Sequence, residues 1–353
     1  MKTMQTLRSQ TGINIIEIMI ALLVGAFLIG GLMQMFISTK KTYNMQDANS
    51  RIQENGRFAI EFLSQDIHNA DFWGCLILST SSNDGIYNLN ALPALDPAYN
   101  NPNNLGVAGI DNDNSVATIV DGTDSIVLTG FRNSGVPVVA DGINGTTPLT
   151  IVSGTGKDLK KNNWVAVSDC ENADVFQIAN DIGNSTSVAH AADFAGRTYG
   201  RTAQIFPLYR VTYEIRASTS VNGLRSLYRK INDDPAQELI EGIRDMQILY
   251  GEDTDADGLP NRYYPADQVN MVNVKGVRIS LLAESVADGL MSDTNPKTLS
   301  YASGSGTAGD DGMSKTFKTC PKGTQAKCSS GDVYDGRVRN IYDVTLAIRN
   351  RLK

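Results

Sequence analysis

The chain has 353 residues, with 38 acidic against 31 basic side chains and a formal net charge of −7, and no basic patch of the kind that nucleic acid requires. Its only histidines are His68 and His190 and no cysteine pair has Cys-x-x-Cys spacing, so the ligand pattern of a zinc site is missing. The length exceeds one average domain, yet the stretch after residue 70 reads as a single elaborated β-rich unit.

Residues 1–12 form a short leader carrying Lys2 and Arg8. From Gly12 the chain reads Gly-Ile-Asn-Ile-Ile-Glu and then runs from Ile18 through Met33 without another charge. A charged side chain at the centre of a bilayer costs about 2.5 kcal/mol or more on insertion scales, so Glu17 needs a partner. Cleavage after Gly12 would supply one, because the new amino group at Ile13 would lie one helical turn from the Glu17 carboxylate. Loss of Lys2 and Arg8 with the leader would take the side-chain charge from −7 to −9. The alternative is an uncleaved signal anchor whose Glu17 snorkels to the interface, while an ordinary secretory signal would have a shorter apolar core and a small-x-small cut site.

From Ile13 to Ala70 there is no proline, which predicts one continuous helix; at about 1.5 Å per residue it would measure about 87 Å. The first part, 13–38, is apolar all round and long enough to cross a bilayer. The second, 39–70, is amphipathic: Ile52, Gly56, Ala59, Leu63, Ile67 and Ala70 recur at spacings of four and three, with Glu54, Arg57, Glu61, Gln65 and His68 on the opposite face. The first set predicts a face packed on a globular domain, with Gly56 admitting a close strand and His68 solvated. Gly25, Gly30 and Gly31 in the apolar half permit close helix contacts and lower local helix stability.

Residues 71–353 form the predicted β-rich domain. The stretch 76–123 is rich in Asn, Asp, Ser, Gly and Pro and is expected to be loop. Strands are expected at 125–131, 148–152, 164–168, 174–178, 205–215, 227–230, 246–250, 274–282 and 341–348, where β-branched and aromatic residues collect. Residues 287–337 read as a surface excursion. No β-α-β alternation is present, so the fold class is α+β, a long N-terminal helix packed on an antiparallel sheet. The four cysteines allow two disulfides in three connectivities, with Cys75–Cys170 and Cys320–Cys328 expected in an oxidising compartment.

The basic leader, Gly12 and Glu17 resemble the processing signal of type IV pilins and pseudopilins, with Ile13 in place of the usual first mature Phe. Four further segments narrow this to a resemblance to PilW-like minor pilins: Arg51–Ala59 with Phe72-Trp73-Gly74-Cys75, Val167–Cys170 leading into Ala173–Phe176, Met246–Gly251, and Leu346–Arg351. The resemblance implies a type IV pilin-like fold and cleavage and N-methylation at Gly12 and Ile13 by a prepilin peptidase. Glu17 would then act in assembly, and the membrane half of the helix would loosen as a subunit enters the fibre. It further implies a low-abundance subunit that starts out in the inner membrane with its domain in the periplasm. That subunit would enter the extracellular pilus by way of the assembly platform. There it would sit at or near the tip with other minor pilins, the major pilin and a PilY-type adhesin, in support of adhesion and twitching. The helix and the last segment are shared with minor pseudopilins of type II secretion, one alternative; a membrane-anchored, calcium-dependent binding module is another.

Calcium enters through the run from Asp253 to Asn261. Asp253, Asp255 and Asp257 alternate, Gly258 provides a turn, and the Leu259 carbonyl and Asn261 side chain occupy the next ligand positions of a calcium loop. Tyr264 stands where an EF-hand has a bidentate Glu, so a solvated acidic turn is the alternative reading. Asp111 and Asp113 form a second acidic patch, read as solvated. Arg349 and Arg351 read as the outward face of a final strand. No nucleophile, phosphate loop or histidine constellation is present to suggest an enzyme.

Overall fold

The computed structural model describes residues 12, 14–74, 86–87, 106–114, 117–131, 135–191, 193–194, 196–291, 297–302, 314–319 and 335–352. Two compact units divide the chain, Met1–Ser50 and Arg51–Lys353. A single helix, α1, covers Ile15–Asn69 and so runs through both. Asn14 caps it: its carbonyl accepts from the Glu17 and Ile18 N–H groups at 2.9 and 3.3 Å, and its Oδ1 from Ile16 N at 3.5 Å. From Ile15 to Tyr43 the large apolar side chains are exposed on every side, Ile15 at 74% and Phe27 at 76% among them. By length and composition this helix could cross a membrane.

Within the second unit the predicted stripe is buried in full: Ile52, Gly56, Ala59, Leu63, Ile67 and Ala70 all face the core, while Glu54, Arg57, Glu61 and Gln65 are exposed. A Cβ added at Gly56 would collide with the ring of Tyr342, whose hydroxyl donates to the Ile52 carbonyl at 3.2 Å. The strand approach expected at this glycine is therefore real. His68 is half-buried instead of solvated, and its Nδ1 donates to the Ala347 carbonyl at 3.0 Å. Asp66 sits beside the stripe, buried, where it accepts from the Tyr213 hydroxyl at 2.6 Å and from Arg229 at 2.8 Å.

The described strands run in chain order as β1 (Ile86–Tyr87), β2 (Val107–Asp113), β3 (Thr123–Phe131), β4 (Val136–Pro137), β5 (Leu149–Thr150) and β6 (Trp164–Ser168). Next come β7 (Ala173–Gln177), β8 (Ser187–Val188), β9 (Gln204–Ala217), β10 (Arg225–Ile231), β11 (Gln237–Glu241) and β12 (Ile243–Glu252). The last are β13 (Arg262–Tyr264), β14 (Val274–Glu284), β15 (Lys297–Ala302), β16 (Ser314–Thr319) and β17 (Arg339–Ala347). One sheet has the order β13-β12-β14-β17, antiparallel throughout. In the larger sheet β9 is the hub. Its first residues pair with β4 and β6, and its later ones with β3 and β10.

That division of β9 separates the cores. The main core joins the helix stripe to Leu128, Tyr213, Ile248, Val277 and their neighbours from both sheets. A second core lies between residues 136 and 205, around Leu149, Val165, Phe176, Phe194 and Tyr199. Trp73, just past the helix, stands edge-on to Phe131 at 5.0 Å, and Phe131 stacks on Phe206 at 5.3 Å, forming a third cluster with Ala166 and Val175.

Three further expectations about the fold need correction. Val107–Asp113, expected as loop within 76–123, is a largely buried strand paired with β3. Its small residues serve packing, since a Cβ at Gly109 would collide with the Tyr250 side chain. The stretch 287–337 is not only a surface excursion: β15 and β16 form a hairpin, and Phe317 lies under the guanidinium groups of Arg244 and Arg339 at 5.0 and 5.1 Å. Arg351 lies in a short 3₁₀ turn past β17 and turns its side chain inward instead of outward. It pairs with Asp71 at the end of the helix and donates to the carbonyls of Met271 and Val274.

Candidate functional site

Two segments carry the residues that the sequence singles out. At the N-terminal one, Gly12 is exposed and a Cβ there would meet nothing within 4 Å. Met1–Thr11 and Ile13 lie outside the described residues. Because Asn14 starts the helix, Glu17 falls in its first turn, where free N–H groups favour a carboxylate. The acid is exposed among exposed Ile15, Ile16, Ile18 and Met19. An acid set in so apolar a sleeve has few ways to be satisfied in hydrocarbon other than by a cation brought to it.

The acidic loop is the connection of a β-hairpin, with no helix on either side: Glu252 at the end of β12 pairs across with Arg262 at the start of β13. The Glu252 carboxylate is buried and accepts from Arg262 at 2.7 and 3.0 Å and from Asn270 N at 3.3 Å. Next to it, Asp253 is also buried, with Oδ2 accepting from Gly258 N at 3.0 Å. Burial works to raise the Asp253 carboxyl, but backbone N–H donation from Gly258 and Ala256 outweighs it and holds the group below the usual carboxylate range. Asp255 and Asp257 are exposed, and one oxygen from each of the three aspartates falls within 4.8 Å of the others. Leu259 N donates to Asp257 Oδ1 at 2.8 Å. Asn261 Oδ1 accepts from Thr254 N at 2.7 Å, closing the loop. Sequence reasoning picked out the three aspartates but not Glu252 or its partner Arg262, because their pairing depends on the hairpin register.

The second acidic patch differs from its solvated reading. Asp113 is fully buried, and so is Asp124, which accepts from Asn112 N at 2.9 Å and Ile248 N at 2.6 Å. Burial pushes the Asp124 carboxyl well above its ordinary range, with Asp111 adding to the rise. Cys170 stands in the turn between β6 and β7 with a positive φ of 75°, and it is disulfide-bonded. Cys75, Cys320 and Cys328 lie outside the described residues.

Residues 212–350 match the family model PilW, type IV pilus-assembly protein W. The match runs from the later half of β9 through β17, which supply most of the main core against the helix stripe, and leaves out the core between 136 and 205. It ties this part of the chain to type IV pilus assembly. The chain matches no curated protein and no solved structure.

Proposed function

We propose that the chain is a minor pilin that helps to initiate type IV pilus assembly. Prepilin peptidase cuts after Gly12, and the new amino group at Ile13 becomes the methylated N-terminus of the mature subunit. Before assembly the helix anchors the protein in the inner membrane with the domain in the periplasm. On entering the fibre, Glu17 of one subunit meets the terminal amino group of a neighbour. Each buried charge is then cancelled, whereas a subunit in the wrong register leaves a carboxylate unpaired at a cost of about 2.5–3.5 kcal/mol. The domain docks on other minor pilins and the major pilin at or near the tip, where a PilY-type adhesin would join it, in support of adhesion and twitching. Cys75–Cys170 and Cys320–Cys328 belong to the same exported reading. For the first pair, Gly74 lies against Phe206, whose strand partner Ala166 is in β6, the strand that leads to Cys170.

The observation that carries this reading is the combination, in one chain, of the PilW match over 212–350 with an apolar helix that has Gly12 before it and Glu17 in its first turn. The experiment is N-terminal mass analysis of the protein from envelope and sheared-pilus fractions of cells that contain the peptidase. A chain beginning at Ile13 in the pilus fraction is expected. An intact Met1 confined to the membrane fraction overturns the proposal and leaves an anchored binding protein.

A further inference from the structure

The hairpin between β12 and β13 could be closed by a short polar turn, yet it gathers three carboxylates. Oxygens of Asp253, Asp255 and Asp257 approach within 4.8 Å of one another. Two ligands of one calcium ion, each 2.3–2.6 Å from the metal, stand no more than about 5.2 Å apart, so the three already fit around a single ion. The second observation is independent of this clustering. Asp253 is 5% exposed, and its Oδ1 is shut off from solvent without a hydrogen-bond partner. A shielded carboxylate oxygen that accepts nothing is costly, and here it belongs to a carboxylate that faces two others.

We propose that residues 253–259 hold one calcium ion, with Asp253, Asp255 and Asp257 as carboxylate ligands and the Leu259 carbonyl beside them. The neighbouring charges favour this assignment. Glu252 is matched by Arg262, and the Lys275 ammonium that acts on Asp253 donates to the Arg351 carbonyl at 3.0 Å. Asn261 is engaged by Thr254, so it holds the two ends of the loop together and water completes the shell. An all-oxygen set on a hairpin suits calcium, which accepts irregular geometry, better than magnesium, which demands a near-ideal octahedron and dehydrates reluctantly. Tyr264 is paired with Tyr250 in the sheet and provides no twelfth-position carboxylate. The affinity should therefore fall in the weak class of extracellular modules, about 10⁻⁴–10⁻³ M. Bound calcium would fix the tip of the hairpin, where Leu259 is 64% exposed. This inference does not rest on the pilus reading.

The test uses the full chain in detergent, stripped with chelator, with thermal unfolding followed as calcium or magnesium chloride is added. The midpoint should climb steadily once calcium passes the dissociation constant. Magnesium at equal concentration should give a much smaller rise. Asp255→Ala and Asp257→Asn, both at exposed side chains, should erase the climb and leave the calcium-free midpoint unchanged. A midpoint that ignores millimolar calcium, a climb that persists in Asp255→Ala, or an equal response to magnesium would each overturn the site.

Discussion

The two halves of α1 contrast sharply. Up to about Tyr43 its large apolar side chains are exposed all round; from Ile52 onward every residue of one stripe is buried and the opposite face is charged. The later half is covered by the chain's own strands, chiefly through Tyr342, Tyr213 and the residues around Ile248 and Val277. An all-round apolar surface cannot be satisfied by one sheet, which covers a single face, so the earlier half calls for a surrounding medium such as lipid or other helices. Substitutions in the first half should thus alter assembly and leave the fold intact, whereas those in the second should alter the fold.

The largest expected effect lies in the first half. Glu17→Ala should still be cleaved but should reduce pili to near zero on electron micrographs, with domain unfolding unchanged; normal pilus numbers would remove Glu17 from assembly. In the second half, Asp66→Ala leaves Arg229 and the Tyr213 hydroxyl without their shared buried acceptor. The loss should be about 3–5 kcal/mol in denaturant unfolding. Leu63→Ala and Leu28→Ala make the comparison directly. The first, at a fully buried site, should cost about 2–5 kcal/mol. The second, at a side chain 64% exposed, should change domain stability by less than about 0.5 kcal/mol.

The smallest effect concerns pH. Glu238 accepts from the hydroxyls of Ser218, Thr219 and Ser226 and from Thr219 N. Burial opposes its charge, but these donors prevail and lower the carboxyl from 4.5 to about 2. Its stabilisation is present in full above pH 4.5 and fades as the pH falls towards about 2. After allowance for solvent it amounts to about 1–2 kcal/mol. Glu238→Gln should flatten the acid limb of the stability profile in that window, and an unchanged limb would show that the carboxylate is not held this way.

Much of this contrast was legible in sequence because helical periodicity is a local signal. Ile52, Gly56, Ala59, Leu63, Ile67 and Ala70 declare their face without reference to anything distant. β9, β10, β12 and β14 declared themselves by composition, though β9 and β12 run further than their apolar runs suggested; the short, polar β11 and β13 did not. What failed depended on partners far away. His68 reads as a solvated polar residue until β17 brings Ala347 to it, and nothing local in the sequence marks Asp66, whose partner Arg229 comes from β10. Val107–Asp113 looks like loop because its glycine answers to Tyr250, and Arg351 looks like an outward charge because Asp71 lies 280 residues earlier. In the acidic loop the three aspartates were visible from spacing alone, whereas the shielding of Asp253 came only from the hairpin.

The closure of Tyr342 over Ile52 has a consequence in time. The two lie 290 residues apart, so the ribosome makes the helix stripe long before the strand that caps it. At about 5–20 residues per second the stripe waits roughly 15–60 s for its cover. During that wait a greasy face is available to any passing protein. Folding of this chain therefore needs either a chaperone to shield the stripe or earlier strands that cover part of it in the meantime.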